Sequence, residues 1–178
     1  MNEDAGRGGP IRDLDGWTIE RLEAFAATTH GEVLNQVREI AQVHAYYDDE
    51  PRHVRLRWAK LSLRANERLP CDGPSDRTRI ANNAFMLRTW VIEHLGPDAD
   101  PDWDPEVLAA DTLAALTTDP DDARTRSAGW HNLPIEQIRE LRWHKNLTAH
   151  VERFVDILQP GPVKDRLVVW MEVRKLLP

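Results

Sequence analysis

The sequence holds a single cysteine, Cys71, so no disulfide can form within the chain. It sits in a Pro-Cys-Asp-Gly-Pro turn cluster with no histidine beside it, which argues against a catalytic thiol. A lone thiol suits a reducing compartment, and the expected location is the cytoplasm. Lysine is also scarce: of 23 basic residues, 4 are lysine and 19 are arginine. No apolar run approaches the roughly 20 residues of a membrane-spanning helix, so no membrane contact is expected. The opening MNEDAGRGGP lacks the basic and apolar regions of a secretory leader. No glycine-rich phosphate loop, nucleophile elbow, Ser-His-Asp order, HExxH or Cys-His pattern is present. No cofactor is therefore expected, and the chain reads more readily as a non-enzyme than as an enzyme.

What is present is enough to fold. In 178 residues with a net charge of −7, 41% are apolar, which excludes disorder over most of the chain. Seven of the 12 aromatic residues are tryptophans, at 17, 58, 90, 103, 130, 143 and 170. Such spacing supplies about one large anchor per helix rather than one aromatic patch.

Residues 1–16, with four glycines and no periodicity, read as a loose tail. Thr18 then reads as a helix N-cap, with Trp17 and Leu22 forming a hydrophobic staple. Val33, Val37, Ile40, His44 and Tyr47, at 4-3-4-3 spacing, predict the inward stripe of a second helix. Residues 51–69 alternate like a strand around Val54, Leu56 and Trp58. Yet Val54, Trp58, Leu61 and Ala65 share a helical face, and the run's length favours helix. Ser75 would cap a very apolar helix ending at Gly96. Asp104-Pro105 and Asp119-Pro120 read as caps followed by first-turn prolines. Pro134 opens the longest helix, expected to reach Leu158, and a last helix follows Pro160-Gly161-Pro162. The expected fold is all-α: one domain over 17–178, a bundle of about six or seven helices.

Candidate chemistry is sparse. Lys145-Asn146-Leu147-Thr148-Ala149-His150 resembles the Arg-Asn-x-x-x-His motif of HEPN ribonucleases, with Lys145 where that family has arginine. The resemblance covers six residues. It implies a helical ribonuclease with His150, and Lys145 in the place of the family's arginine, acting on an RNA phosphodiester and Asn146 in support. A weaker alternative is a metal-dependent enzyme using His44, Asp48 and His53, although Pro51 interrupts the segment. Glu140 and His144 form one more i, i+4 pair. Acids at 100, 102, 104, 106 and 111 mimic a calcium loop, but Pro105 occupies the position that needs glycine. Residues 138–148 resemble the opening of a phage-repressor helix-turn-helix, yet Arg153 stands where a small residue is required and no turn follows.

Charge is segregated. Residues 51–68 carry +5 through Arg52, Arg55, Arg57, Lys60, Arg64 and Arg68, offset by Glu67 alone. Residues 96–123 carry nine acids and no Lys or Arg. The basic face, above all Arg52, Arg55, Arg57 and Arg64, is a candidate binding surface, and the acidic segment either covers it or faces a basic partner. Nucleic acid is the less favoured partner. His44, His144 and Thr148 interrupt apolar stripes, so a polar cluster shared by His44, His144 and His150 is a specific expectation. The leading functional expectation is a non-catalytic helical protein acting through protein–protein contacts: an adaptor, regulator or inhibitor-type partner, or a self-associating chain.

Overall fold

The computed structural model describes residues 14–47 and 49–178. The expected tail falls mostly on residues 1–13, outside this range. Leu14, placed in that tail by sequence, is buried, and its carbonyl accepts from the Trp17 N–H. The described residues are all-helical, with eight α-helices and no strand. The chain divides into two compact units, up to Cys71 and from Asp72 onward.

The first unit contains α1 (Ile19–Thr28), α2 (Gly31–Tyr47) and α3 (Arg52–Glu67). Thr18 caps α1 as its sequence position suggests, accepting from the Arg21 N–H. Trp17 meets Phe25 edge to face and carries the Arg21 guanidinium over its ring. Gly31 opens α2 with φ +63°, a left-handed torsion that glycine adopts without strain. The stretch that alternates like a strand is the helix α3. Ser62 Oγ donates to the Arg38 carbonyl, and Arg55 Nε donates to the Ala45 carbonyl. These contacts run α2 antiparallel to α3 and set Ala41 level with Ala59. Small residues at that level let the two backbones approach closely. Arg57 reaches Glu20 and Glu23 near the start of α1, and Arg68 reaches carbonyls at its end, so α1 runs parallel to α3.

The second unit contains α4 (Pro74–Leu95), α5 (Pro105–Ala115), α6 (Pro120–Ala128), α7 (Ile135–Val151) and α8 (Pro162–Arg174). Short 3₁₀ turns lie at Pro101–Trp103, Trp130–Asn132 and Val155–Ile157. Asp104 and Asp119 cap α5 and α6 as their sequence positions suggest, accepting from the Glu106 and Asp121 N–H groups. Helix α8 packs against α5, α6 and α7, and α7 also packs against α4 and α5. Leu108, Leu141, Leu147, Leu167, Trp170 and Val173 lie in the resulting core.

Three expectations need correction. The helix from Pro134 stops at Val151, because the Arg153 and Phe154 N–H groups bond three residues back, to His150 and Val151. An apolar residue every third or fourth position suits α and 3₁₀ turns alike, so spacing did not reveal the change. The longest helix is α4, and its N-cap is Gly73 rather than Ser75, with Pro74 in the first turn. Finally, the inward stripe of α2 is Leu34, Val37, Arg38, Ala41 and Ala45, whereas Val33 and Tyr47 face solvent.

Candidate functional site

That rotation of α2 creates the most distinctive surface. At 100° per residue, Val33, Gln36, Ile40, Val43 and Tyr47 form a second stripe roughly 140° from the buried one. Val43 is 54% exposed and Tyr47 79% exposed. Val33 is also exposed, and Ile40 is half-buried. Glu32 and Glu39 flank this stripe on one side. On the other, His44 stacks on Trp58 with ring centroids 4.4 Å apart. The only basic side chain of α2 apart from His44 is Arg38, which is buried and bonded to Asn35, Gln42 and Glu39. The outer face of α2 is thus apolar with an acidic edge.

Arg55, Arg57, Arg64 and, just after α3, Arg68 bond within the first unit. Arg55 donates to the Ala45 and Tyr46 carbonyls, closing the C-terminal turn of α2. Arg68 does the same for α1, at the carbonyls of Ala26, Ala27 and Thr29. Arg57 forks onto Glu23 and Glu20, whose carboxylates raise its affinity for its proton further. Arg64 pairs with Glu67 one turn on, and Arg52 opens the helix in an exposed position. The acids of 96–123 have partners in their own unit: Asp111 with Arg88, Asp119 with Arg166, Asp122 with Arg126. Asp98, Asp100 and Asp104 accept from backbone N–H groups two residues on, so the alternating carboxylates build successive turns.

The ribonuclease-like hexad lies on the last two turns of α7. Lys145 Nζ donates to the Leu177 carbonyl at 2.7 Å, anchoring the chain after α8. Asn146 is exposed, and His150 is half-buried. Burial, then the nearby Arg153 charge, holds the His150 imidazole below its ordinary range, and Arg153 itself pairs with Glu93. Residues 138–148 lie in the uninterrupted helix α7. Of the metal candidates, Asp48 lies outside the described residues, His44 is stacked on Trp58, and His53 is exposed. Among the described residues, no group of three His, Cys, Asp or Glu side chains is placed to hold a metal ion.

A polar cluster does form in the second unit, around Glu140 and His144. Glu140 accepts from Arg126 Nη2 and Thr118 Oγ1, each at 2.6 Å, and from Thr117 Oγ1. Burial pushes its carboxyl up, but the Thr118 hydrogen bond and Arg126 outweigh this and leave it below the usual range. One turn on, His144 is fully buried and lies edge-on to Trp170, with ring centroids 5.2 Å apart. Neither of its ring nitrogens has a hydrogen-bond partner, nor has Arg126 Nε. The sequence marks Glu140 and His144 by their spacing, but nothing in it points to Arg126. His44 and His144 each lie against a tryptophan of their own unit. Comparison of the chain with protein-family models, with curated proteins and with solved structures gives no match.

Proposed function

We propose that this protein is a non-catalytic interaction module that docks another protein on the outer face of α2. The observation carrying this reading is the second apolar stripe, with Val43 and Tyr47 standing 54% and 79% exposed on a helix already anchored by its opposite side. The occupant is an amphipathic helix with a basic rim: its apolar face meets Val33, Ile40, Val43 and Tyr47, and its Lys or Arg side chains meet Glu32 and Glu39. A second copy of the chain fits less well, because antiparallel packing of the stripes sets Glu39 against Glu39. The exposed Cys71 thiol suits action in a reducing compartment such as the cytoplasm.

The test uses a fluorescent synthetic helix with leucine at the a and d positions and lysine on both flanks. It should bind the full chain saturably, and the double substitution Val43→Asp with Tyr47→Asp should weaken binding at least about tenfold. The aspartates make the protein more acidic, so a merely electrostatic attraction would tighten instead. Equal or tighter binding by a variant with unchanged helicity would overturn the proposal.

A further inference from the structure

Four of the seven histidines lie against a tryptophan, and they divide into two kinds. His44, His94 and His131 lie face to face or tilted on Trp58, Trp90 and Trp130, and none of the three is buried. Water reaches those rings. His144 differs in every respect. It is 0% exposed, it meets Trp170 at 68°, and both its nitrogens lack a partner. Above and below it on the same face of α7 stand Leu141, Leu147 and Val151, all core residues.

No charged group around it accepts a hydrogen bond from its ring. On α7, both Glu140 oxygens are already engaged, Oε1 by Thr117 and Thr118 and Oε2 by Arg126. From α6 comes Arg126, a like charge. From α8 comes the Trp170 ring, which can neither give up nor accept a proton. On α4 and α5, which also pack against α7, Arg88 binds Asp111 and Glu93 binds Arg153. A neutral imidazole in this setting lacks one donor bond and one acceptor bond. An imidazolium carries two N–H donors and a full charge, and burial there is far more unfavourable.

We propose that His144 makes the packing of α8 on α7 acid-sensitive: a proton taken from solvent by its imidazole is accommodated only when α8, with Trp170, moves aside to admit water. Desolvation, reinforced by Arg126 and opposed by Glu140, holds the buried ring below the ordinary value of 6.5, so neutral pH leaves it uncharged. The sign follows directly. The opened form binds the proton at the ordinary value and the closed form more weakly, so opening becomes easier as pH falls through that value. Between pH 7.5 and 5.5, one such site favours the open form by at most about tenfold, the limit in which the closed ring stays neutral throughout. Carboxylates with ordinary values near 4 contribute little over this window.

Hydrogen exchange by mass spectrometry on the full chain at pH 7.5 and 5.5, corrected for intrinsic rates, tests this. Protection in α7 and α8 should fall measurably, by up to about tenfold, while α2 and α3 keep theirs. His144→Leu, similar in size and unable to titrate, should remove most of the loss, leaving only the smaller share of the half-buried His150. His150→Asn, on the same helix, should retain most of the loss. Unchanged protection in α7 and α8, an equal loss in all helices, or a loss that persists undiminished in His144→Leu would overturn the proposal. If that variant does not fold, the imidazole carbon-bound proton of His144 in the unaltered protein decides by NMR. The proposal requires it to titrate below 6.5 in the closed state; ordinary titration near 6.5 with full protection retained refutes it.

Discussion

Leu34 and Tyr47 separate the two faces of α2 most sharply. The sequence stripe Val33-Val37-Ile40-His44-Tyr47 would make Tyr47 a core aromatic, and its loss would then cost about 3–5 kcal/mol. In the structure Tyr47 is 79% exposed and Leu34 is 0% exposed. Leu34→Ala removes three fully buried carbons, about 2.4 kcal/mol at 0.8 per methylene, and the cavity left against α3 raises the total to about 3 kcal/mol. Tyr47→Ala uncovers about a fifth of a ring, about 0.5 kcal/mol, and the better helix propensity of alanine offsets most of that. Urea unfolding followed by far-ultraviolet circular dichroism reads the difference. Leu34→Ala should lower the midpoint by about 1–2 M, given an m-value of about 1.5–3 kcal/mol/M. Tyr47→Ala should leave it within experimental error. Equal losses for the two variants, or a costly Tyr47→Ala beside a neutral Leu34→Ala, would refute the assignment of faces and, with it, the docking surface.

Further consequences can be measured in the second unit. Gly96 ends α4 at φ +81°, ψ 160°, with nothing within 4 Å of where a Cβ would stand. Gly96→Ala therefore carries only torsional strain, about 1–3 kcal/mol by urea unfolding. Asp104 Oδ1 accepts the Glu106 N–H at 2.8 Å, so Asp104→Ala should cost about 1 kcal/mol and Asp104→Asn should recover most of it. The Glu140 carboxyl lies below its ordinary 4.5 in the folded chain. Its contribution is complete above that value and disappears as pH falls through the lowered one. Glu140→Gln should accordingly flatten the loss of stability on acidification below about pH 5, read as urea midpoints against pH.

The helices were largely legible in the sequence because their punctuation is local. Asp104-Pro105, Asp119-Pro120, Thr18 and Gly96 mark ends by their own torsions and side-chain oxygens, and the structure uses each as sequence suggests. Which face turns inward was less legible. In α2, the stripe with the larger residues competes with one built on Ala41 and Ala45, and the small residues win because they let α3 approach closely. Apolar spacing counts side chains and does not measure how near two backbones can come. The basic run of α3 shows the same limit. Its sequence displays the charge of Arg55, Arg57 and Arg68, but their partners come from α1 and α2, up to 42 residues away. The Glu140–His144 pair was visible as a spacing, whereas its character depends on Trp170 and Arg126, which only the fold brings near.

The hydrogen bonds from α3 to the ends of α1 and α2 bear on how the chain emerges during synthesis. Residues leave the ribosome in order, at about 5–20 per second, so α1 and α2 appear before Arg55 and Arg68 exist. Helices of 10 and 17 residues are marginal by themselves in water. The carbonyls at their ends, at Ala26, Ala27, Thr29, Ala45 and Tyr46, lack these guanidinium donors until residues 55 and 68 emerge. The first unit thus gains its durable structure only when residue 68 clears the exit tunnel, and its three helices settle together. Until then, the apolar residues of both faces of α2 are open to chaperones that greet new chains.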